Sequence, residues 1–232
     1  MVHVDRIAYR GWSNCYCLRN TVAELTVTAD VGPRILRFGF TGQNELVEFA
    51  DQLGRCGGDE FRLYGGHRLW HAPESIPRTY YPDNDPVDAE RLADGVRLRP
   101  PVETSTGVQK EMEIRLSPAE ASVRIIHRLY NRGVWPVELS AWALTAMAPG
   151  GTAVIPLPPR GRHPDDLQPS SLLAVWPYTD LSDPRWTMGR QYLLLRQDRQ
   201  RPIPQKLGAA VPDGWVGHVR EGCLFVKSFV PV

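Results

Sequence analysis

The sequence has no long apolar run, no block of like charge and few cysteines. No stretch reaches the ~18 consecutive apolar residues that a helix needs to cross a bilayer. Lys and Arg number 27 against 26 Asp and Glu, a formal charge of +1. Neither sign is clustered, which argues against a nucleic-acid arm and against a polybasic membrane patch. The opening residues, MVHVDRIAYRGWSN, lack the charged-then-apolar pattern of a secretory signal, so a cytoplasmic protein is expected. Cys15, Cys17, Cys56 and Cys223 are then reduced thiols by default. Cys15 and Cys17 would share one strand face, and half of a metal site is one reading of them. Zinc sites usually show two tight ligand pairs; this chain has one, so ordinary buried cysteines, no metal and no cofactor are expected.

Glycine and proline are abundant instead: 20 and 21 of 232 residues, roughly 18% together against ~12% in average usage. They punctuate short runs that alternate like strands. Such runs are Glu24 to Ala29, Arg34 to Phe40, Gly107 to Leu116, Ser122 to Tyr130, Val137 to Met147, Gln191 to Arg196 and Cys223 to Val230. In the third, Val108, Lys110, Met112, Ile114 and Leu116 should face one way. Pro86 to Leu98 is weakly helical, with a turn at Asp94-Gly95 as the equal alternative. Many short strands broken by Gly and Pro predict an all-β sandwich. Gly54 to Pro86 and Pro156 to Pro184 resist strand assignment and exceed the usual loop length.

The first of these two segments carries the chemistry. Between Gly57 and Asn84 lie histidines, arginines, acids, tyrosines and a tryptophan. Sugar sites need this mixture: planar rings to meet the apolar face of a pyranose, and bidentate side chains to grip pairs of hydroxyls. Gly65-Gly66 would let the backbone approach a ligand or another strand closely. His67 and His71 are four apart, but Arg68 stands where a helical metalloprotease motif needs Glu, and Pro73 opposes a continuing helix. The alternative is a structured covering loop laced with salt bridges.

The run Gly65-Gly-His-Arg-Leu-Trp-His-Ala-Pro-Glu74, with Asp30-Val-Gly-Pro-Arg-Ile before it and Tyr81-Pro-Asp-Asn-Asp-Pro-Val87 after it, resembles an uncharacterised bacterial family of the galactose mutarotase-like superfamily. That superfamily includes aldose 1-epimerases and hexose-6-phosphate epimerases. His127 to Thr145, and Lys206-Leu-Gly through Asp213-Gly-Trp to Lys227, fit the same family. The resemblance implies one domain over 1–232, a large antiparallel β-sandwich (a supersandwich) with a sugar held on a concave sheet.

In the epimerases a histidine protonates the ring oxygen and a glutamate takes the anomeric hydroxyl proton, which is general acid–base catalysis. After Pro136-Val-Glu-Leu-Ser140, where the resemblance would place that histidine, this chain has Ala141 and Trp142. The glutamate would fall beyond Phe229-Val-Pro-Val232, so the resemblance implies a domain lacking C-terminal strands, with an exposed edge that invites self-association. The candidate catalytic pair is therefore His67 and Glu74. The candidate sugar contacts are Arg68, Trp70, His71, Arg78, Tyr81, Asp83, Asn84, Trp142 and Lys206. Three functions stand open: a noncatalytic sugar-binding protein, an aldose 1-epimerase-like isomerase, and a structural or interaction protein with a remnant pocket. The expected partner is a small-molecule sugar or sugar derivative, with no nucleic acid and no membrane.

Overall fold

A computed structural model describes residues 1–231. Within the span expected as one domain, residues group into two compact units, Met1–Ala148 and a second beginning at Pro149. Pro149, Gly150 and Gly151 follow the boundary, where neither residue type favours a continuing strand.

The first unit holds β1 (His3–Tyr9), β2 (Trp12–Arg19), β3 (Ala23–Thr28), β4 (Arg34–Phe40), β5 (His67–Ala72), β6 (Asp88–Arg91), β7 (Gly95–Arg99), β8 (Val108–Leu116), β9 (Val123–Asn131) and β10 (Ser140–Thr145). They form a six-stranded sheet in the order β1-β2-β3-β4-β5-β10 and a four-stranded sheet in the order β6-β7-β8-β9. Every pairing is antiparallel. A two-residue turn joins β1 to β2, with Arg10 and Gly11 at φ 51° and 94°, the primed geometry that matches strand twist.

The two sheets share one apolar interior. Leu18, Leu25, Val27, Ile35 and Leu69 from the larger sheet meet Val96, Leu98, Met112, Ile114 and Leu116 from the smaller. On β8 the alternation is as expected from the sequence: Val108, Lys110, Met112, Ile114 and Leu116 are all buried. The intervening Glu111, Glu113 and Arg115 face outward into a ladder with Arg97, Arg99 and Arg128. Arg115, helped by Arg97 and Arg128, holds the Glu113 carboxyl down to about 2 against the opposing effect of burial. Ile114 is fully buried, so Ile114→Val should cost about 0.5–1.5 kcal/mol of stability, read from the urea midpoint.

The stretch 86–98 is the hairpin β6–β7, closed by a bond from Leu92 N–H to the Gly95 carbonyl at 2.9 Å. Among the described residues there is no α-helix, only a 3₁₀ turn at Arg78–Tyr80.

The second unit contains β11 (Thr152–Pro156), β12 (Leu173–Val175), β13 (Trp186–Met188), β14 (Tyr192–Arg196), β15 (Leu207–Ala209), β16 (Trp215–Arg220) and β17 (Cys223–Ser228). Five of them form a sheet in the order β13-β14-β11-β16-β17, and β12 pairs with β15. The long segment 156–184 thus contributes only one short strand.

Candidate functional site

The aromatic-and-arginine segment is organised around β5, one of the strands that sequence patterning did not assign, with β1, β2, β11 and β16. Its residues His67 to His71 are all buried. A strand covered on both faces shows no alternation of apolar and polar residues. Its two faces nevertheless carry different chemistry. Leu69 belongs to the sandwich interior, so His67 and His71 share that side, while Arg68 and Trp70 face the opposite way.

On the side away from the interior, the β4–β5 register sets Arg34 beside Arg68. Asp83, from the covering loop, joins both. It accepts from Arg34 Nη2 at 2.8 and 2.9 Å and from Arg68 Nη2 at 3.1 Å. Arg34 also donates to the carbonyls of Leu63 and Gly65. Burial pushes the Asp83 carboxyl up, but Arg34, Arg68 and Lys110 outweigh it and leave it below the ordinary carboxylate value. Asn84 tightens the same loop, donating to the Gly58 and Glu60 carbonyls and accepting from Tyr64 Oη. Farther along, Trp70 sits in a cluster of rings with Phe61, Tyr80 and Trp142, centroids 5.2–5.7 Å from it or from each other. The Arg68 guanidinium lies 4.9 Å from the Trp70 ring.

On the interior side, His67 Nδ1 meets Thr145 Oγ1 at 2.8 Å and its Nε2 meets His127 Nε2 at 2.9 Å. At the far end of the strand, His71 Nε2 lies 3.3 Å from Glu103 Oε2. Glu103 also accepts from Thr106 Oγ1 at 2.7 Å and pairs with Lys110 Nζ at 2.5 Å. Glu103, Lys110 and His71 are each 4% exposed or less. Burial raises the Glu103 carboxyl, but bonds from His71, Lys110 and Thr106 bring it below its ordinary value, so it is an anion at neutral pH. A carboxylate fixes the imidazole proton on Nε2. Nδ1 is buried and, among the described residues, has no hydrogen-bond partner.

His71 borders a cleft of about 510 Å³ at this end of the sandwich. Arg78, Ser105, Thr106 and Glu138 supply its polar groups, and Pro77, Val108, Val137 and Leu139 its apolar wall. Arg78 is steadied by a bond to the Pro73 carbonyl.

The sequence candidates thus fall into separate places. His71 and Arg78 meet at the cleft. Arg68, Asp83 and Asn84 form the buried lock under the loop, and Trp70 with Trp142 forms the ring cluster. Tyr81 Oη lies 3.4 Å from Thr104 Oγ1. Lys206 is in the second unit, its ammonium 4.4 Å from the Trp176 ring centroid. His67 and Glu74 are not brought together. The five strand steps from His67 to Ala72 span about 16 Å, and Glu74 lies beyond them, exposed, accepting from Tyr80 Oη at 2.5 Å.

Sequence reasoning did not single out Glu103, Thr106 or Lys110 as site residues. Lys110 carried a signal: a lysine on the apolar face of an alternating strand must find a buried anion. Glu103, seven residues earlier, is that anion.

Among the described residues no three His, Cys, Asp or Glu side chains stand as a metal-holding group. Cys15, Cys17, Cys56 and Cys223 are free thiols, and burial raises Cys15 to about 11. No described helix is long and apolar enough to cross a membrane. None of the family models, curated proteins or solved structures compared with the chain matches it.

Proposed function

We propose that the first unit is a carbohydrate-binding β-sandwich of the galactose mutarotase-like kind, with the sugar held in the cleft beside His71. One observation carries this reading: a buried imidazole, oriented by Glu103, borders a cleft of ligand size lined by Arg78, Ser105, Thr106 and Glu138. Small-molecule sites run to ~300–1,000 Å³. The lining suits a polyhydroxylated ring. Arg78 donates, Glu138 accepts, and the hydroxyls of Ser105 and Thr106 do both. The opposing Pro77 and Val137 would meet the C–H face of the ring.

A second reading, an aldose 1-epimerase-like isomerase, is favoured by the same His71–Glu103 pair. A histidine backed by a carboxylate is a general-base arrangement. Ring opening also needs a proton donor on the ring oxygen, and the cleft offers Arg78, Ser105 and Thr106 only as neutral or cationic hydrogen-bond donors. Binding without acceleration is therefore the primary reading.

The test is calorimetric titration with a panel of neutral, acidic and phosphorylated aldoses, alongside polarimetry of freshly dissolved sugar. Saturable binding to the wild type, weakened at least tenfold in Arg78→Ala, is the expected result. Faster mutarotation that disappears in His71→Ala would promote the isomerase reading. A panel with no binder at millimolar concentration would remove both.

A further inference from the structure

We propose that the second unit carries a separate ligand site, a cleft on its five-stranded sheet suited to an acidic oligosaccharide bearing uronate carboxylates. This goes beyond the function proposed for the first unit and does not depend on it.

The floor follows from strand register. Pro156 on β11 stands opposite Tyr192 on β14, and Val154 stands opposite Gly217 on β16. The two-residue period then carries Trp215 to the same side and the same level as Tyr192. Their rings meet edge to face, with centroids 6.2 Å apart and planes at 61°. Tyr192 is 42% exposed and lines the cleft beside its neighbour. Pro156, Leu194 and Thr187 complete this floor beneath a cleft of about 850 Å³. That lies in the upper part of the range for small-molecule sites and leaves room for more than one sugar ring.

The rim supplies the charge. Arg160 ends the stiff run Pro158-Pro159, and Arg190 follows Gly189. Both are exposed, and neither pairs with a carboxylate among the described residues. Arg185 in the same unit contrasts with them: it is 8% exposed and bound to both Asp183 and the Ile203 carbonyl. Asp213 is the acid at the cleft, so two guanidinium ions face one carboxylate there. A guanidinium takes a carboxylate through two parallel bonds. Aromatic rings with a polar handle favour ligands that are apolar on one face and hydroxylated at the edge. A pyranose carrying a carboxylate presents both features in one unit, and a short chain of them could engage both arginines. A neutral sugar would leave the cations unmatched. An acidic peptide would match the charge but would not need the ring floor.

The experiment is calorimetric titration of the full chain with trigalacturonate at low and moderate salt. A neutral trisaccharide and hexaglutamate serve as comparison ligands. Saturable binding of trigalacturonate is expected, weakening as salt rises. Arg160→Ala/Arg190→Ala should reduce it at least tenfold with an unchanged urea midpoint. Tyr192→Ala should weaken it, and Arg78→Ala should leave it alone. The proposal is overturned by any of four results: no saturable binding, binding indifferent to the double substitution, hexaglutamate binding as tightly, or loss in Arg78→Ala. The neutral members of the aldose panel, read with Arg78→Ala, report on the first unit, and Arg160→Ala/Arg190→Ala reports on the second, so failure of either site is recognisable by itself.

Discussion

Gly66→Ala is expected to leave little folded protein, or a fold weakened by about 3 kcal/mol or more. Gly66 sits at φ +69°, and a Cβ built on it would lie 1.9 Å from the Ile35 carbonyl oxygen. The obstacle is backbone of the neighbouring strand β4, which cannot swing aside as a side chain would. Nor can the glycine retreat. Its N–H donates to the Val47 carbonyl and its own carbonyl accepts from Ala146 N–H, both at 2.9 Å. Gly65, at φ +103°, is equally confined, with a built Cβ 2.1 Å from the Val47 oxygen. The pair therefore turns the chain into β5 through a gap that only hydrogen atoms fill. The check is the urea midpoint with soluble yield, using Gly42→Ala as the control. Gly42 also has positive φ, but its Cβ would meet nothing within 4 Å. Equal losses in the two variants would show that conformational strain alone, and not the close approach, decides the outcome.

Asp83→Asn is expected to cost about 3–5 kcal/mol, the range for removing one partner of a buried ion pair. Arg34, Arg68 and Asp83 are 7% exposed or less at the side chain. Without the carboxylate, two neighbouring guanidinium ions would remain in a site shielded from water. The amide keeps the shape, removes the charge and turns one of the two accepting oxygens into a donor that faces the guanidinium groups. Acid should act in the same direction. The Asp83 carboxyl lies below its ordinary value in the fold, so the chain binds a proton there more readily when unfolded. Its contribution is present above the unfolded value of about 3.9 and is lost as pH falls through the lower folded value. Glu103 is depressed as well and adds to the loss below about pH 4.3. Glu113, held at about 2, extends the decline toward that pH. Unfolding midpoints between pH 7 and 2.5 should therefore fall less steeply in Asp83→Asn than in the wild type. Parallel curves would show that Asp83 is not the linked group.

Much of the fold was legible in the amino-acid order. β3, β4, β8, β9, β14 and β17 lie where one-sided burial produces alternation or where Gly and Pro bracket a β-rich run. β5 was hidden for the opposite reason: with both sides covered, its sequence reads as an irregular mixture of histidine, arginine and tryptophan. The short strands β12, β13 and β15, three residues each, are too brief to display a period. The candidate site was legible in part. His71 and Arg78, both named from the sequence, line the same cleft. Arg68 and Asp83 pair with each other beneath the loop, 15 residues apart, as the alternative of a covering loop laced with salt bridges allowed. Glu103 was missed because its value arises only when β5 and β8 are placed together.

The parity of β5 links these observations. Odd-numbered residues send imidazoles into the sandwich, and even-numbered ones send a cation and an indole under the loop. Loops on either side can lengthen, but a slide of the strand by one position would exchange the two sets. Arginine would enter an oily layer, and histidine would stand where Asp83 awaits a guanidinium. The polar groups beside the cleft and the ionic lock behind it share no chemistry, yet they must be inherited as a single block, because one ribbon of backbone carries both.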